Sequence, residues 1–131
     1  TAGIWFEAGD ECFPENGWND FAVVILGWWL SELRALPARN NPRATARLEF
    51  MDGPVEVEIR APEAMASPWV ATWVRRGDRR RAVRELPFAA VGLLSSVEDA
   101  ARALLRSCEE RAWRSVELDS LRGAVRSSKR P

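Results

Sequence analysis

Histidine and tyrosine occur nowhere in this 131-residue chain, and its single lysine is Lys129. Without histidine the commonest general base is missing, and with it the Ser-His and Cys-His pairs and most zinc and iron sites. Cysteine is scarce too. Cys12 and Cys108 lie far apart and fit no zinc, haem or redox spacing, which makes a reducing cytoplasm the default compartment. A disulfide between them is the other reading of the pair. No phosphate-binding glycine loop or dinucleotide fingerprint occurs. The first residues carry no basic cluster, and Glu7, Asp10 and Glu11 interrupt any apolar stretch, so a secretory signal is not expected. Nor is a membrane span: the longest apolar run, between Asp20 and Glu32, has eleven residues, against the roughly 20 that a helix needs to cross a bilayer.

What is present describes a soluble α+β domain. Apolar residues make up 47% and charged residues 29%, an ordinary globular composition, and the length suits one domain over residues 1–131. Tryptophan is unusually frequent, at seven. The net charge of zero hides a segregation. Residues 1–33 hold six acids (Glu7, Asp10, Glu11, Glu15, Asp20, Glu32) and no base, a charge of −6, while the remainder has nineteen bases and thirteen acids, a charge of +6. Such blocks either set opposite potentials on different faces or draw two halves of one fold together.

The stretch "GWNDFAVVILGWWLSEL" predicts a helix over residues 20–36. Asn19 or Asp20 serves as its cap, Arg34 stands in the last turn and Pro37 stops it. At 100° per residue, Phe21, Ile25, Trp28, Trp29 and Leu36 share a broad face that Leu26, Leu30 and Leu33 extend. A narrow strip of Asp20, Gly27, Ser31 and Arg34 is left polar or small, the pattern of a central buried helix. Trp28 and Trp29, 100° apart, cannot point the same way. Glu32 is the exception on the apolar side and needs water or an arginine.

Two hairpins follow the "PARNNPR" loop. In "TARLEF" and "VEVEI" the residues Ala46, Leu48, Phe50, Val55, Val57 and Ile59 alternate onto one face, and "MDGP" makes the turn. With Asp52 and Gly53 at its centre, Phe50 pairs with Val55, Leu48 with Val57 and Arg47 with Glu58. Glu49 then lies opposite Glu56, and the outer face reads as acidic. The second hairpin runs from "WVATWV" through Gly77-Asp78 to "RAVREL". Arg75, Arg76, Arg79, Arg80, Arg81 and Arg84 crowd it against one acid, Asp78. Arginines beside tryptophans suit phosphates and stacked bases. Against a nucleic-acid module stand a pI near 6.3 and the lack of any RNA- or DNA-binding signature. The competing readings are a solvated hairpin tip and a patch that answers the acidic block. Arg76-Gly77-Asp78 spells an integrin-recognition tripeptide, a coincidence in a cytoplasmic chain.

Toward the end, Ser95 and Glu98 have the capping-box spacing for a helix over residues 96–113. Its apolar stripe comprises Val97, Ala100, Ala101, Leu104, Leu105, Cys108 and Ala112, with Arg102, Arg106, Glu109 and Glu110 opposite. Cys108 is on this reading a small buried hydrophobe. A last helix begins near Asp119 and carries Leu121 and Val125; "SSKRP" is a tail. What remains for chemistry is carboxylate with arginine. Glu7, Asp10 and Glu11 in "FEAGDEC" offer oxygen ligands to a divalent cation but lack calcium-loop spacing. No catalytic residue, metal ligand set or cofactor is assigned, and a small carboxylate-based enzyme is kept only as an alternative.

The element order, together with "GWNDFAVVILGWWLSEL" and "RLEFMDGPVEVEI", resembles small bacterial immunity proteins that neutralise polymorphic or contact-dependent toxins. The likeness covers about a third of the chain and contains no invariant motif. It implies a cytoplasmic, non-catalytic protein that occludes a toxin, through an acidic surface where the toxin is a basic nuclease. By fit to this chain the contact candidates are Glu7, Asp10, Glu11 and Glu15, with Glu49, Glu56 and Glu58 expected to be exposed. The alternative is a nucleic-acid-binding module built on the arginine hairpin. A homodimer is compatible with either. The expected architecture is a four- or five-stranded, mainly antiparallel sheet packed against the helices of residues 20–36 and 96–113.

Overall fold

In the structure, a computed structural model that describes residues 2–36, 45–60, 69–88, 90–110 and 115–127, the long apolar run becomes helix α1, Ala22–Ala35. Before it come four very short strands: β1 (Ala2–Gly3), β2 (Phe6–Ala8), β3 (Glu11–Phe13) and β4 (Asn19–Asp20). They form two antiparallel ladders, β1 with β4 and β2 with β3. After α1 come β5 (Thr45–Glu49), β6 (Val55–Arg60), β7 (Trp69–Arg76) and β8 (Arg80–Phe88), then α2 (Ala90–Glu110) and α3 (Val116–Ser127). The strands β5 to β8 make one antiparallel sheet in sequence order. The class is α+β as expected, with four strands in the main sheet.

The first hairpin has the predicted register: Leu48 opposite Val57, Arg47 opposite Glu58, Glu49 opposite Glu56. The Phe50 amide donates to the Val55 carbonyl oxygen at 3.2 Å, closing the turn. Gly53 within it takes φ +109°, and a Cβ there would lie 3.3 Å from the Trp18 ring, so glycine serves both conformation and space. Period-2 alternation sends Ala46, Leu48, Val55, Val57, Ile59, Ala71 and Trp73 into the core. Helix α1 covers the β5 side of this inner face, and α2 and α3 pack against α1.

Helix α1 buries an arc of Ala22, Ile25, Leu26, Trp29, Leu30 and Leu33. Phe21 and Trp28, expected on the core side, are instead 49% and 45% exposed. Spaced seven residues apart they share a stripe, and that stripe faces outward. Glu32 lies on it half-buried, so the lone acid of the apparent apolar side sits on the outward side. Trp29 takes the core position: its indole Nε1 donates to the Glu49 carbonyl oxygen at 2.8 Å. Around Phe50 gather Phe6, Phe13, Trp18 and Trp29, with ring centroids 5.1 to 6.5 Å away and edge-on geometry.

Asp20 departs furthest from expectation. Rather than lining a polar strip or capping the helix, it is fully buried. The N-cap residue is Phe21, and no side chain caps α1. The Asp20 carboxylate accepts from the Trp18 indole (3.0 Å), the Phe21 amide (2.7 Å), the Met51 amide (3.3 Å) and the Asp52 amide (3.0 Å). Four donors and the positive end of α1 replace the water that a lone buried carboxylate would otherwise lose at a cost of several kcal/mol.

The C-terminal helices differ from expectation at their starts. Helix α2 begins at Ala90, so Ser95 is an exposed residue within it and not a cap. Helix α3 begins at Val116, where the Ser115 hydroxyl oxygen accepts from the Leu118 amide at 3.1 Å. Val97, Ala101, Leu105 and Cys108 are buried on α2, and Leu118, Leu121 and Val125 on α3. Ala112 lies outside the described residues. Arg34 joins the three helices, donating from Nη1 to the Ala124 carbonyl oxygen and standing 3.9 Å from Glu98. Cys12 and Cys108 are free thiols.

Replacing Asp20 by alanine leaves the Trp18 indole and the Phe21 amide without an acceptor and unties the β5–β6 turn. The expected loss is about 3 kcal/mol in urea unfolding. Asp52→Ala, whose side chain is exposed at the same turn, shifts stability by less than about 0.5 kcal/mol.

Candidate protein-interaction surface

Residues expected to form one acidic surface are divided between two places. Glu49, Glu56 and Glu58 stand on the outer face of the main sheet, while Glu7, Asp10, Glu11 and Glu15 belong to the β2–β3 ribbon and the loop after it.

On the outer face the expectation of exposed acids fails. Glu56 is 1% exposed and is therefore no contact residue. Its carboxylate lies 3.4 Å from Arg76 Nε and 3.9 Å from Arg47 Nε, and Arg76 also reaches Glu49 at 3.5 Å. The like-charge Glu49–Glu56 pair, visible in the register, is thus bridged by one guanidinium. Neither Glu56 Oε2 nor Arg76 Nε has a hydrogen-bond partner, so Coulomb attraction without aligned donors holds this cluster. Glu58 is half-buried and pairs with Arg80 at 2.7 Å, and Arg60 pairs with Glu85.

Strand order explains why these pairs bury what lies between them. β6 and β8 flank β7, about 9.5 Å apart. The Arg80–Glu58 and Arg60–Glu85 pairs both join β6 to β8, and so pass over β7. Beneath that span Thr72 and Val74, on the same outer face by register, are 4% and 0% exposed. Long charged side chains close this side of the sheet through their aliphatic stems.

The arginine hairpin is largely consumed by the same pairing. Arg76 and Arg80 are engaged as described. Arg75 lies on the inner side, 5.4 Å from the Phe13 ring centroid, and donates to the Pro14 carbonyl oxygen at 2.8 Å. Arg84 stacks over Trp73 at 5.6 Å and pairs with Glu11 at 2.7 Å. Arg79 and Arg81 are exposed, with no ion pair among the described residues. Of the two readings of the basic cluster, the structure gives this contact with the acidic block a definite form: Arg75 and Arg84 clamp the strand β3, its Phe13 and the following Pro14 onto the sheet. Phe13 stacks on Trp73 at 5.3 Å.

Glu7, Asp10 and Glu15 are what this pairing leaves over. All three are exposed and carry no ion pair among the described residues. Asp10 occupies the turn between β2 and β3, beside Gly9 at φ +60°. Glu7 Oε1 accepts from the Trp5 indole at 3.0 Å. Among the described residues no three acid, cysteine or histidine side chains are gathered to hold a metal ion, so Glu7, Asp10 and Glu11 form no ligand set. Nor does any described helix have the length and apolarity to cross a membrane.

Sequence reasoning missed the aromatic floor under this ribbon. Phe6 stacks on Trp29 at 5.0 Å, and the Phe13–Trp73 stack lies alongside. The signal was Phe6 and Phe13 placed symmetrically about a Gly-Asp turn, in runs too short to register as a strand pair. No protein-family model, curated protein or solved structure matches the chain, so its chemistry is argued from this geometry.

Arg76→Ala strands the buried Glu56 carboxylate with only the distant Arg47, and about 2 kcal/mol is lost in denaturant unfolding. Arg80→Ala breaks a more exposed pair and costs less than about 1 kcal/mol. Joint replacement Glu56→Leu and Arg76→Met returns stability to within about 1 kcal/mol of the parent, because it removes both charges from the buried position.

Proposed function

We propose that the chain is a non-catalytic protein-binding module, an immunity-type inhibitor that occludes a cognate toxin in the bacterial cytoplasm. One observation carries this reading: the acids on the outer face of the sheet are held by arginines of the sheet itself, whereas Glu7 and Asp10 on the β2–β3 ribbon and Glu15 in the loop after it are exposed and meet no cation among the described residues. An unanswered acidic edge on a well-anchored ribbon suits a basic partner surface. Its charge steers encounter and selects the partner, while nearby apolar contacts supply affinity. Histidine and tyrosine, absent from the chain, are not needed for such a role. Glu11, Glu49, Glu56 and Glu58 drop out as primary contacts because arginines of the same chain already hold them.

A second reading is favoured by Arg79 and Arg81, exposed at the β7–β8 hairpin without an ion pair among the described residues and suited to phosphates. Two such contacts give weak nucleic-acid affinity with a shallow salt dependence.

The decisive measurement is growth rescue. Co-expression with a toxin encoded beside this chain is expected to restore growth, and reversal of Glu7, Asp10 and Glu15 to lysine is expected to weaken the complex at least tenfold and abolish rescue. Arg79→Glu with Arg81→Glu leaves rescue intact. Loss of rescue only with the arginine changes, together with DNA or RNA retention at low salt, favours the nucleic-acid reading. No rescue by the parent chain against any neighbouring toxin rejects the inhibitor.

A further inference from the structure

Between the β2–β3 ribbon and the first half of α2 lie two hollows of about 440 and 510 Å³. Phe6, Glu7, Leu93 and Ser96 belong to the walls of both, so the hollows adjoin across a single partition, the β2 strand. Each lies within the size range of small-molecule sites. One is floored by the inner sheet face, with Trp73 and Phe88 in its wall; the other has Trp5 and Trp29.

Their charge is one-sided. Among the described residues of either wall, Glu7 alone is ionisable, and no arginine lines them. Arg84 stands over the Trp73 ring at 5.6 Å but is engaged by Glu11, and Arg75 donates to Pro14. The Trp5 indole holds one oxygen of the exposed Glu7 carboxylate at 3.0 Å and leaves its second oxygen open to a donor. Trp29 and Trp73 are buried, their faces covered by Phe6, Phe13 and Arg84, so the aromatic surface left to a ligand is that of the half-buried Trp5, Phe6 and Phe88. An exposed carboxylate bordering such rings, with no cation among the described lining residues, recognises organic ammonium groups by ion pairing and by attraction to the rings. The same arrangement rejects carboxylates and phosphates of equal size, for which it offers no counter-charge.

We infer that this cleft binds a small organic ammonium ion, its charged group at Glu7 and its alkyl or aryl body between Phe6 and Leu93. The site is independent of any toxin: it needs only the ribbon, the sheet and α2, and its probe is a small molecule.

The test uses n-octylammonium and, as the like-shaped anion, octanoate. The seven tryptophans give separate indole N–H signals in a nitrogen-15 correlation spectrum. Octylammonium is expected to shift the Trp5 indole saturably at millimolar concentration and to leave the exposed Trp28 unmoved. Octanoate is expected to shift neither. Glu7→Gln weakens the response roughly fivefold, the scale of one exposed ion pair. Ser96→Phe fills both hollows and abolishes it. Both replaced side chains are exposed, so the fold survives, as a dispersed amide spectrum verifies. Gly92→Leu, at an open position on the wall of the first hollow, is the independent filler. Equal shifts with octanoate, a Trp28 response as large as that of Trp5, no saturable Trp5 shift, or unchanged binding in both filled variants overturns the inference.

Discussion

A carboxylate with no exposed surface ties this fold together. Asp20 receives hydrogen bonds from its own neighbours Trp18 and Phe21 and from Met51 and Asp52, more than thirty residues onward. The N-terminal segment, the start of α1 and the β5–β6 turn therefore share one acceptor. No arginine pairs with it among the described residues, so its burial is tolerable only while the donors are in place. The surrounding aromatic cluster centred on Phe50 depends on the same junction, because Trp18 itself donates to Asp20 and Phe50 precedes Met51, whose amide does the same. Hydrogen bonding sets the geometry of this junction, and aromatic burial supplies most of its favourable free energy.

Charge is handled differently on the two sides of the sheet. Outside, acids of β5, β6 and β8 meet arginines across the strands, and the β6–β8 pairs roof over Thr72 and Val74 without any covering helix. Inside, arginines of β7 and β8 hold the N-terminal ribbon by one ion pair, one backbone carbonyl and two aromatic rings. The segregation of charge along the chain thus becomes an attraction between its two halves at Glu11 and Arg84. It also leaves Glu7 and Asp10 on the same ribbon, and Glu15 in the loop after it, without an ion pair among the described residues. Fold and candidate surface share one cause: the ribbon is anchored by part of its charge and presents the rest.

The ribbon is also where apolar structure stays open. Phe6 and Phe13 seat it on Trp29 and Trp73, yet strands of three residues are too short to cover the full inner face beside α2. A longer strand pair would have sealed the hollows that Glu7 borders. That incompleteness places an acidic group next to the partly exposed rings of Trp5, Phe6 and Phe88, which a fully packed core excludes.

Local pattern determined a good deal. Period-2 alternation around Asp52-Gly53 was enough to set the β5–β6 register, down to the Glu49–Glu56 opposition, since side chains two residues apart share a face and a short turn allows few alignments. A 3.6-residue period likewise placed α1 within two residues of its ends, and found Val97, Ala101, Leu105 and Cys108 on the buried side of α2, although Ala100, counted in the same stripe, is exposed and Leu104 only half-buried. Tertiary structure alone decided which side of α1 turns outward, why Trp29 rather than Trp28 enters the core, that Asp20 and Glu56 are buried, and which acids remain free. Periodicity tells which residues share a face; it carries no information on what covers that face. The partners that bury Asp20 and Glu56 arrive from residues 51, 52 and 76, and their donors and charges change the cost of burial by more than any local preference.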